Sequence, residues 1–461
     1  MILKSANMQE RSGEDVWNVA SWKSEISSKV LFIRQNLKKQ VPPSSWKRTL
    51  NVQEVYFVTA LKRCAHFDIS EEDLDNVDVI GEIVDEFIFN EGKQLSALQE
   101  LQLLEIICSH FQSNIDEICK YLQFATMFNL SPHDEIKEFR LKILSKLLSM
   151  SIGLECSSIL DCVGAWIMKH RSYIQDVLDL IQAIIYDYCI LVPSSLPALE
   201  SMVKHSTLFS SQFLTAVTVL YPMYKLKSED EQMTSESVMQ GSSLFPPRSL
   251  LQLVADWITC QPGVLLTSYP QHLASLPNCR MTNEELAPPS TKDQTRKLPL
   301  CPLHGLVRWS ILGPICFISQ KRGNLLAMND ECKSIMLVFS KLQFGVLQSF
   351  LATKKQLDEK DHDNDMEPGE VMEDELDYTN LLSIYDLRGI CMELLELINE
   401  IPSDVSVDLR ENLVHTSVDR LAQVLQVGKS SECLSGKKTD FSSMYPNLPR
   451  TKLLNLVLQS K

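Results

Sequence analysis

Apolar residues recur with a period near 3.6 along most of the chain, which is the pattern of helices that bury one face. Between residues 176 and 192 the apolar positions form a single stripe. Pro193 ends that helix, because the residue before a proline is driven out of the α region. Over residues 95–111 the stripe widens to most of the helix circumference, so that helix must be covered on several sides. We therefore predict an all-α protein, an α-solenoid-like stack of helical hairpins.

The same periodicity predicts further helices, whereas no run of alternating apolar and polar residues bounded by turn signals indicates a strand. The additional predicted helices span about residues 51–67, 75–90, 114–128, 134–151, 156–170, 206–223, 249–260, 303–318, 330–355, 379–400 and 404–427. The glycine content agrees with this. There are 15 glycines in 461 residues, well below the usual share, and helical stacks need few of the tight turns that glycine serves.

Three polar segments interrupt the helical pattern. Residues 226–248 lack a core face, residues 278–302 are rich in proline, and residues 356–378 form an acidic, disordered linker. Eleven acidic side chains and one lysine between 358 and 377 carry −10 of the total net charge of −15, so the rest of the chain is close to neutral. The predicted division is a poorly ordered segment 1–48, a helical-repeat lobe 49–225, a linker 226–248, a second lobe 249–355 with a loop at 278–302, the acidic linker 356–378 and a C-terminal helical segment 379–461.

The cysteines indicate a reducing compartment. There are thirteen, without regular spacing, and many lie on apolar helix faces. This usage is typical of buried thiols in the cytosol or nucleus rather than of a disulfide framework. The first residues lack the apolar region of a secretory signal, and the longest apolar stretch, 306–318, is too short to span a bilayer. We expect no membrane contact.

Motifs for catalysis and cofactor binding are absent from the sequence. No phosphate-binding glycine loop, nucleophile elbow or zinc-protease helix occurs, and no C-x-x-C pair exists. The spacing of Cys301 and His304, with Cys279 and Cys316 at a distance, supplies only one of the two close ligand pairs of a structural zinc. A calcium-loop-like acidic run beginning at Asp361 lacks the required glycine and glutamate. We predict no enzyme activity, no cofactor and no metal.

One stretch combines basic and aromatic residues. Between residues 293 and 330 no acidic side chain occurs, and the candidate partner-binding residues there are Arg308, Trp309, Lys321 and Arg322. Such a stretch suits an ordinary core helix with basic ends, an interface for an acidic or helical partner, or single-stranded RNA bound through phosphates and stacked bases. The near-neutral charge outside the acidic run does not favour general nucleic-acid binding.

A collinear series of short strings resembles the Integrator complex subunit 15 family. The most recognisable is LQELQLLEI at 98–106, followed by Cys108 and Phe111. The rest of the series lies at 146–150, 165–166, 187–193, 212–221, 256–258, 302–309, 340–348, 419–427 and 448–454. The resemblance covers about residues 79–461 and is poor in the first 50 residues, in the segment around 225–247 and in the acidic run.

This resemblance implies a nuclear address and a set of partners. Integrator is an RNA polymerase II-associated assembly that attenuates transcription and processes the 3′ ends of small nuclear RNA, and other subunits carry its nuclease and phosphatase activities. The family resembles a helical-repeat scaffold associated with the module of subunits 10, 13 and 14, with only indirect polymerase contact. It supplies no catalytic residue. The expected function is that of a non-catalytic scaffold. The alternatives are an RNA-binding helical subunit using residues 296–322 and a helical adaptor of another assembly.

Overall fold

The computed structural model describes the chain in several stretches. They are residues 104, 107–112, 117–128, 130, 137–223, 244–266, 297–320, 330–363, 382–403, 405–437, 439–441 and 447–459. The predicted helices 51–67 and 75–90 lie outside these stretches. Of the predicted helix 95–111, the described part contains Leu104, Cys108 and Phe111, and all three are buried.

Helices account for nearly all of the described structure, so the all-α prediction is confirmed. In chain order they are α1 (Glu117–Met127), α2 (Lys137–Gly153), α3 (Ser157–Lys169), α4 (Ile174–Ile185), a π-helix (Tyr186–Leu191), a 3₁₀ turn (Pro193–Ser195), α5 (Leu196–His205), α6 (Thr207–Leu220), α7 (Arg248–Cys260), a 3₁₀ turn (Pro262–Leu266), α8 (Leu303–Gln320), α9 (Asp330–Asp363), α10 (Asp386–Glu400), α11 (Val407–Ser430) and α12 (Lys452–Gln459). The helical stretch that begins at Ile174 ends before Pro193, as the sequence predicts.

The structure corrects three details of the sequence-based picture. A two-residue parallel strand pair, β1 (Leu382–Ser383) with β2 (Leu434–Ser435), occurs where no strand was expected. The short helices α5 and α12 were not predicted, and they have only ten and eight residues. Helix α9 continues to Asp363, eight residues into the predicted acidic linker, because residues 356–363 contain no glycine or proline to end it.

The chain divides into two compact units that interleave along the sequence. Unit 1 contains the described residues up to His170 together with Ala183–Ser206. Unit 2 contains Arg171–Gln182, Thr207–Ser268 and the chain from residue 287 onward. Helix α6 thus belongs to unit 2, although the sequence-based division assigns it to the first lobe. The predicted domain boundaries stay a prediction.

Unit 1 is built on α3, which packs against both α1 and α2. The Trp166 side chain in α3 is buried, and its indole N–H donates to the carbonyl of Phe128 at 2.6 Å. The rings of Phe111 and Phe124 meet edge to face, with centroids 6.0 Å apart. These contacts bury large aromatic surface while satisfying the one polar group of the tryptophan.

Unit 2 is built around α8, which contacts α6, α9, α10 and α11. Thirteen of its 18 residues are buried, so α8 is apolar on most of its circumference because neighbours cover it on most sides. Helix α9 packs on α7, α8 and α11. The strand pair joins the segment before α10 to the segment after α11, through the Leu382 N–H to the Cys433 carbonyl at 3.1 Å.

Glycines mark the crossing points of these helices. A Cβ at Gly313 in α8 would overlap the ring of Phe339 in α9, and a Cβ at Gly345 in α9 would lie 2.6 Å from the Ile258 side chain in α7. The helix axes come this close only because neither position carries a side chain.

Pro314 lies inside α8 and removes one backbone hydrogen bond, because it has no N–H to donate to the carbonyl four residues earlier. That carbonyl belongs to Ser310. It accepts instead from the guanidinium of Arg420 in α11, at 2.7 Å, and Arg420 also donates to the Ser340 hydroxyl in α9 at 3.1 Å. A buried arginine therefore replaces the missing hydrogen bond and ties three helices together.

Among the described helices, α9 is long and apolar enough over Asp330–Lys354 to cross a membrane by length and composition. The bent pair Ile174–Leu191 and Pro193–His205 passes the same criterion only if it is counted as one span. Half of the α9 window is buried inside the protein. Helices α7, α8 and α11 pack on α9.

Candidate partner-binding surfaces

Arg308, the first sequence-predicted site residue, lies in α8 and points at α10. Its Nε donates to Oε2 of Glu393 at 2.6 Å, and the two side chains are only 15% and 11% exposed. Burial raises the pKa of the Glu393 carboxyl, and the hydrogen bond from Arg308 opposes that rise. The pair connects α8 to α10. Arg308, which the sequence predicts as a partner-binding residue, is therefore bonded to a carboxylate within unit 2.

Trp309 is completely buried in the same helix. Its indole N–H donates to the carbonyl of Tyr221 at 2.8 Å, at the C-terminal end of α6. The ring is enclosed by protein, so in this structure neither of its faces is open to a stacked base. Trp309 has the surroundings of a core residue that holds α8 against the end of α6.

Lys321 and Arg322 lie outside the described residues, as does Arg296. The structure therefore brings together only Arg308 and Trp309, and it gives both of them partners within unit 2. A partner-binding role for these four residues stays a prediction.

Two buried histidines have perturbed pKa values, and both serve the packing of unit 1. Burial lowers the pKa of His170 to about 4 and that of His110 to about 4. His170 Nδ1 lies 2.8 Å from the carbonyl of Trp166, and the Leu130 N–H donates to its Nε2 at 3.4 Å. Only the neutral ring with the proton on Nδ1 satisfies both contacts.

Ten cysteines of the described residues are thiols rather than halves of disulfides, and most of them are buried. Burial raises the pKa of Cys316 to about 12 and also raises that of Cys391. A thiol in such surroundings stays protonated and is a poor nucleophile or metal ligand. These cysteines behave as small apolar core residues.

The described residues contain no group of three or more His, Cys, Asp or Glu side chains placed to hold a metal ion. His304, at the start of α8, lies with its Nε2 3.4 Å from the carbonyl of Asp386. Cys316 is enclosed farther along the same helix, and Cys279 lies outside the described residues. Within the described residues, the titratable groups with the largest pKa shifts lie in the packed interior.

Large apolar side chains are nevertheless exposed on helix surfaces. Three of them lie on one face of α9, namely Leu337, Phe344 and Leu351, with 71%, 53% and 54% of their area exposed. We call these three residues the α9 stripe. Each is separated from the next by seven residues, so the three share one side of the helix.

Two smaller groups of exposed apolar side chains occur on other described elements. In unit 2, Tyr385, which precedes α10, is 62% exposed, and Met392 within α10 is 42% exposed, with the open Gly389 between them in the chain. In unit 1, the exposed residues Tyr186, Ile190 and Leu191 lie on the π-helix. The sequence did not predict any of these positions. The 3.6-residue period shows which residues share a helix face, but it does not show whether another helix covers that face.

These observations define the class of protein. It is an all-α protein whose perturbed titratable groups are buried in packing contacts and whose accessible apolar side chains lie on helix surfaces. The model of the family described as Integrator complex subunit 15 matches residues 32–450. The chain belongs to that family. The match begins earlier than residue 79, where the resemblance of the short strings starts, so part of the N-terminal segment shares the family pattern.

Individual relatives agree with this family membership. The chain is 29% identical over 440 residues to Integrator complex subunit 15 of Danio rerio, an alignment that covers 92% of this chain and 80% of that protein. It is 27% identical over 450 residues to the Homo sapiens protein of that name, covering 92% and 86%. The Drosophila melanogaster protein is 21% identical over 403 residues, covering 83% and 87%.

Proposed function

We propose that this chain is a non-catalytic scaffold subunit of an Integrator complex, holding other subunits together in the nucleus. The observation that carries the proposal is the family match over residues 32–450, since the relatives are named as subunits of that complex. Within the proposal, the subunits held are chiefly 10, 13 and 14, the association with RNA polymerase II is indirect, and the processes served are transcription regulation and small nuclear RNA 3′-end processing.

The distribution of polar and apolar groups supports a binding role rather than a chemical one. Several buried ionisable groups with shifted pKa values are bonded to structural partners, as Glu393 is to Arg308. Apolar side chains of the size that anchors interfaces are exposed on α9 and α10. A stack of helical hairpins arranged like a solenoid would present such surfaces side by side, and we include that arrangement in the proposal.

Affinity purification of the full chain from nuclear extract tests the proposal. The tagged chain is expressed at its natural level, and the co-purifying proteins are quantified against an untagged control. We expect Integrator subunits, with subunits 10, 13 and 14 the most enriched. A folded nuclear protein that recovers none of them would overturn the assignment and leave a helical adaptor of another assembly.

The RNA-binding alternative receives no support from the described residues of the stretch 296–322. Trp309 is enclosed and Arg308 is bonded to Glu393. Binding of the purified chain to a short single-stranded RNA, with a steep loss of affinity as salt rises, would be the result that revives it.

A further inference from the structure

A buried lysine lies at the N-terminus of α3 in unit 1. Lys120 in α1 has only 8% of its area exposed. Its ammonium donates to the Ser158 hydroxyl at 3.2 Å, and Ser158 is in the first turn of α3. Burial raises the pKa of the Cys156 thiol, which directly precedes the helix, while the Ile159 N–H and the positive charge of Lys120 oppose that rise. The ammonium therefore lies close to the residues that begin α3.

The charge of Lys120 has no counter-charge among the described residues. Its hydrogen-bond partner there, the Ser158 hydroxyl, is neutral. The carboxylate of Asp161 accepts from a serine hydroxyl at 2.5 Å, and that of Glu155 lies 3.4 Å from a histidine nitrogen. Glu117, one turn earlier in α1, is exposed and is not paired with Lys120. Because moving a charge out of water is costly, buried charges in proteins are normally paired with an opposite charge.

The start of α3 adds positive potential at the same place. The first N–H groups of a helix have no acceptor within it, and the aligned peptide dipoles place about half a positive charge there. The N–H groups of Ser157 and Ser158 have no acceptor among the described residues, whereas that of Ile159 faces the Cys156 thiol. Cations are favourable at the opposite end of a helix. A buried lysine at this end is therefore unfavourable unless an anion lies beside it.

This corner of unit 1 is accessible from solvent. Ser157 and Ser158 are partly exposed, whereas Cys156 and Ile159 on either side of them are buried. Two main-chain N–H groups and two hydroxyls are thus open to a ligand, with the Lys120 ammonium next to them. All of these groups donate hydrogen bonds, which is the arrangement that an oxyanion requires.

The combined charge of the site indicates which oxyanion it fits. The lysine contributes one positive charge, and the helix N-terminus contributes about half of another. A phosphate monoester carries about −1.5 to −2 at neutral pH and has three strong acceptor oxygens, whereas a carboxylate carries a single charge on two oxygens. Main-chain N–H groups at helix N-termini bind phosphate in many proteins. A phosphate group matches both the charge and the number of donors.

We propose that the N-terminus of α3, together with Lys120, binds one phosphate group. The N–H groups and hydroxyls of Ser157 and Ser158 donate to the phosphate oxygens, and the Lys120 ammonium balances their charge. This site lies in unit 1 and goes beyond the proposed scaffold function, because the geometry that supports it involves no Integrator subunit.

Binding of inorganic phosphate to the full chain tests the inference. Isothermal titration calorimetry at constant ionic strength compares the natural chain with Lys120→Met and with Lys204→Met, a control that removes an exposed lysine from α5 of the same unit. We expect the natural chain and the control to bind one phosphate each with equal affinity. Lys120→Met should bind at least about tenfold more weakly, because a charged hydrogen bond is lost. Acetate should bind the natural chain at least about tenfold more weakly than phosphate does.

Two further measurements separate a binding role from a packing role. Without phosphate, Lys120→Met should keep or raise the denaturant midpoint of unfolding, because it replaces a buried, unpaired charge by an apolar side chain of similar length. Ser157→Pro should preserve α3, since proline suits the first position of a helix, but it removes one of the two N–H donors. It should weaken phosphate binding several-fold although Lys120 is unchanged.

The amino acid O-phosphoserine distinguishes two sources of the phosphate group. Tighter binding of O-phosphoserine than of inorganic phosphate would identify a phosphorylated side chain as the ligand, and the reverse order would identify the free ion. Either order supports the site.

Four results would overturn the inference. They are the absence of saturable phosphate binding by the natural chain, equal binding by Lys120→Met, acetate bound as tightly as phosphate, and a lowered denaturant midpoint for Lys120→Met without phosphate. The last would make Lys120 a packing residue. None of these results depends on the recovery of Integrator subunits, so failure here leaves the scaffold function standing.

Discussion

Helices α8 and α9 lie side by side in unit 2 and are both rich in apolar residues, yet they use those residues differently. Helix α8 carries the basic and aromatic residues that the sequence offers to a partner, and the structure encloses Arg308 and Trp309. Helix α9 carries no such motif, and it exposes Leu337, Phe344 and Leu351. The comparison teaches that the number of neighbouring helices, rather than residue type, separates core from candidate interface.

The largest expected effect on a polar contact comes from the buried ion pair of α8. Arg308→Met should reduce the free energy of unfolding by about 3–5 kcal/mol near neutral pH, because it leaves the Glu393 carboxylate buried without its cation. Denaturant unfolding followed by circular dichroism measures this. The double variant with Glu393→Leu should recover most of the loss, because no unpaired charge remains. A loss below 1 kcal/mol for Arg308→Met would show that the pair is effectively on the surface.

In unit 1, the buried His170 should make the free energy of unfolding depend on pH. The pKa of His170 is about 4 in the folded protein and about 6.5 when unfolded. Between these values the unfolded chain binds a proton that the folded chain does not. Stability contributed by neutral His170 is therefore complete above pH 6.5 and is lost as the pH falls toward 4, by about 3 kcal/mol. The free energy of unfolding is measured for the natural chain and for His170→Gln at several pH values in that range. The difference between the two proteins should shrink by this amount as the pH falls from 6.5 to 4. Parallel curves would contradict the burial of the ring.

The contact of Arg420 with the carbonyl freed by Pro314 predicts a coupled pair. Arg420→Met should cost about 2 kcal/mol, the value of a charged hydrogen bond lost from a buried carbonyl. In a Pro314→Ala background the alanine N–H can bond to the Ser310 carbonyl, so the same arginine change should cost less. A double-mutant cycle measured by denaturant unfolding gives the coupling energy. Strict additivity would mean that the arginine does not replace the missing helix bond.

Two glycines of unit 2, one at the crossing of α8 with α9 and one on open α10, should respond in opposite ways to substitution by alanine. Gly313→Ala should destabilise the protein by about 1–3 kcal/mol, because its Cβ would overlap the Phe339 ring. Gly389→Ala in α10 should stabilise by about 0.5–1 kcal/mol, since nothing lies within 4 Å of an added Cβ and alanine favours the helix. Thermal and denaturant midpoints measure both. Equal effects would show that α8 and α9 are farther apart than described.

The smallest expected effect is on the α9 stripe itself. Phe344→Ala should change the free energy of unfolding by less than about 0.5 kcal/mol, because the ring is 53% exposed. Phe339→Ala in the same helix should cost about 3–5 kcal/mol, because that ring is fully buried. The pair is matched in residue type and in helix. A large loss for Phe344→Ala would mean that the stripe is part of a core.

Much of the fold could be predicted, because helix formation is governed by local periodicity. The sequence places α1 to α3, α6 to α9 and α11 near their observed positions, and places the end of the helical stretch before Pro193. It misses the short helices α5 and α12 and the β1–β2 pair. The Leu382 to Leu434 pairing joins residues that are far apart in the chain, so no local pattern indicates it.

The candidate site was predicted less well, since exposure is not a local property. The sequence by itself determined that the protein is all-α and belongs to the Integrator complex subunit 15 family. Both conclusions follow from the sequence because helix periodicity and family motifs are local patterns of residues. Only the tertiary structure decided that Trp309 is enclosed and that Arg420 donates a hydrogen bond to the Ser310 carbonyl of α8. It also decided that Phe344 is exposed while Phe339 is buried. Each of those outcomes depends on which distant helix lies against the residue, and the physical environment that sets burial and charge pairing exists only once the helices have packed.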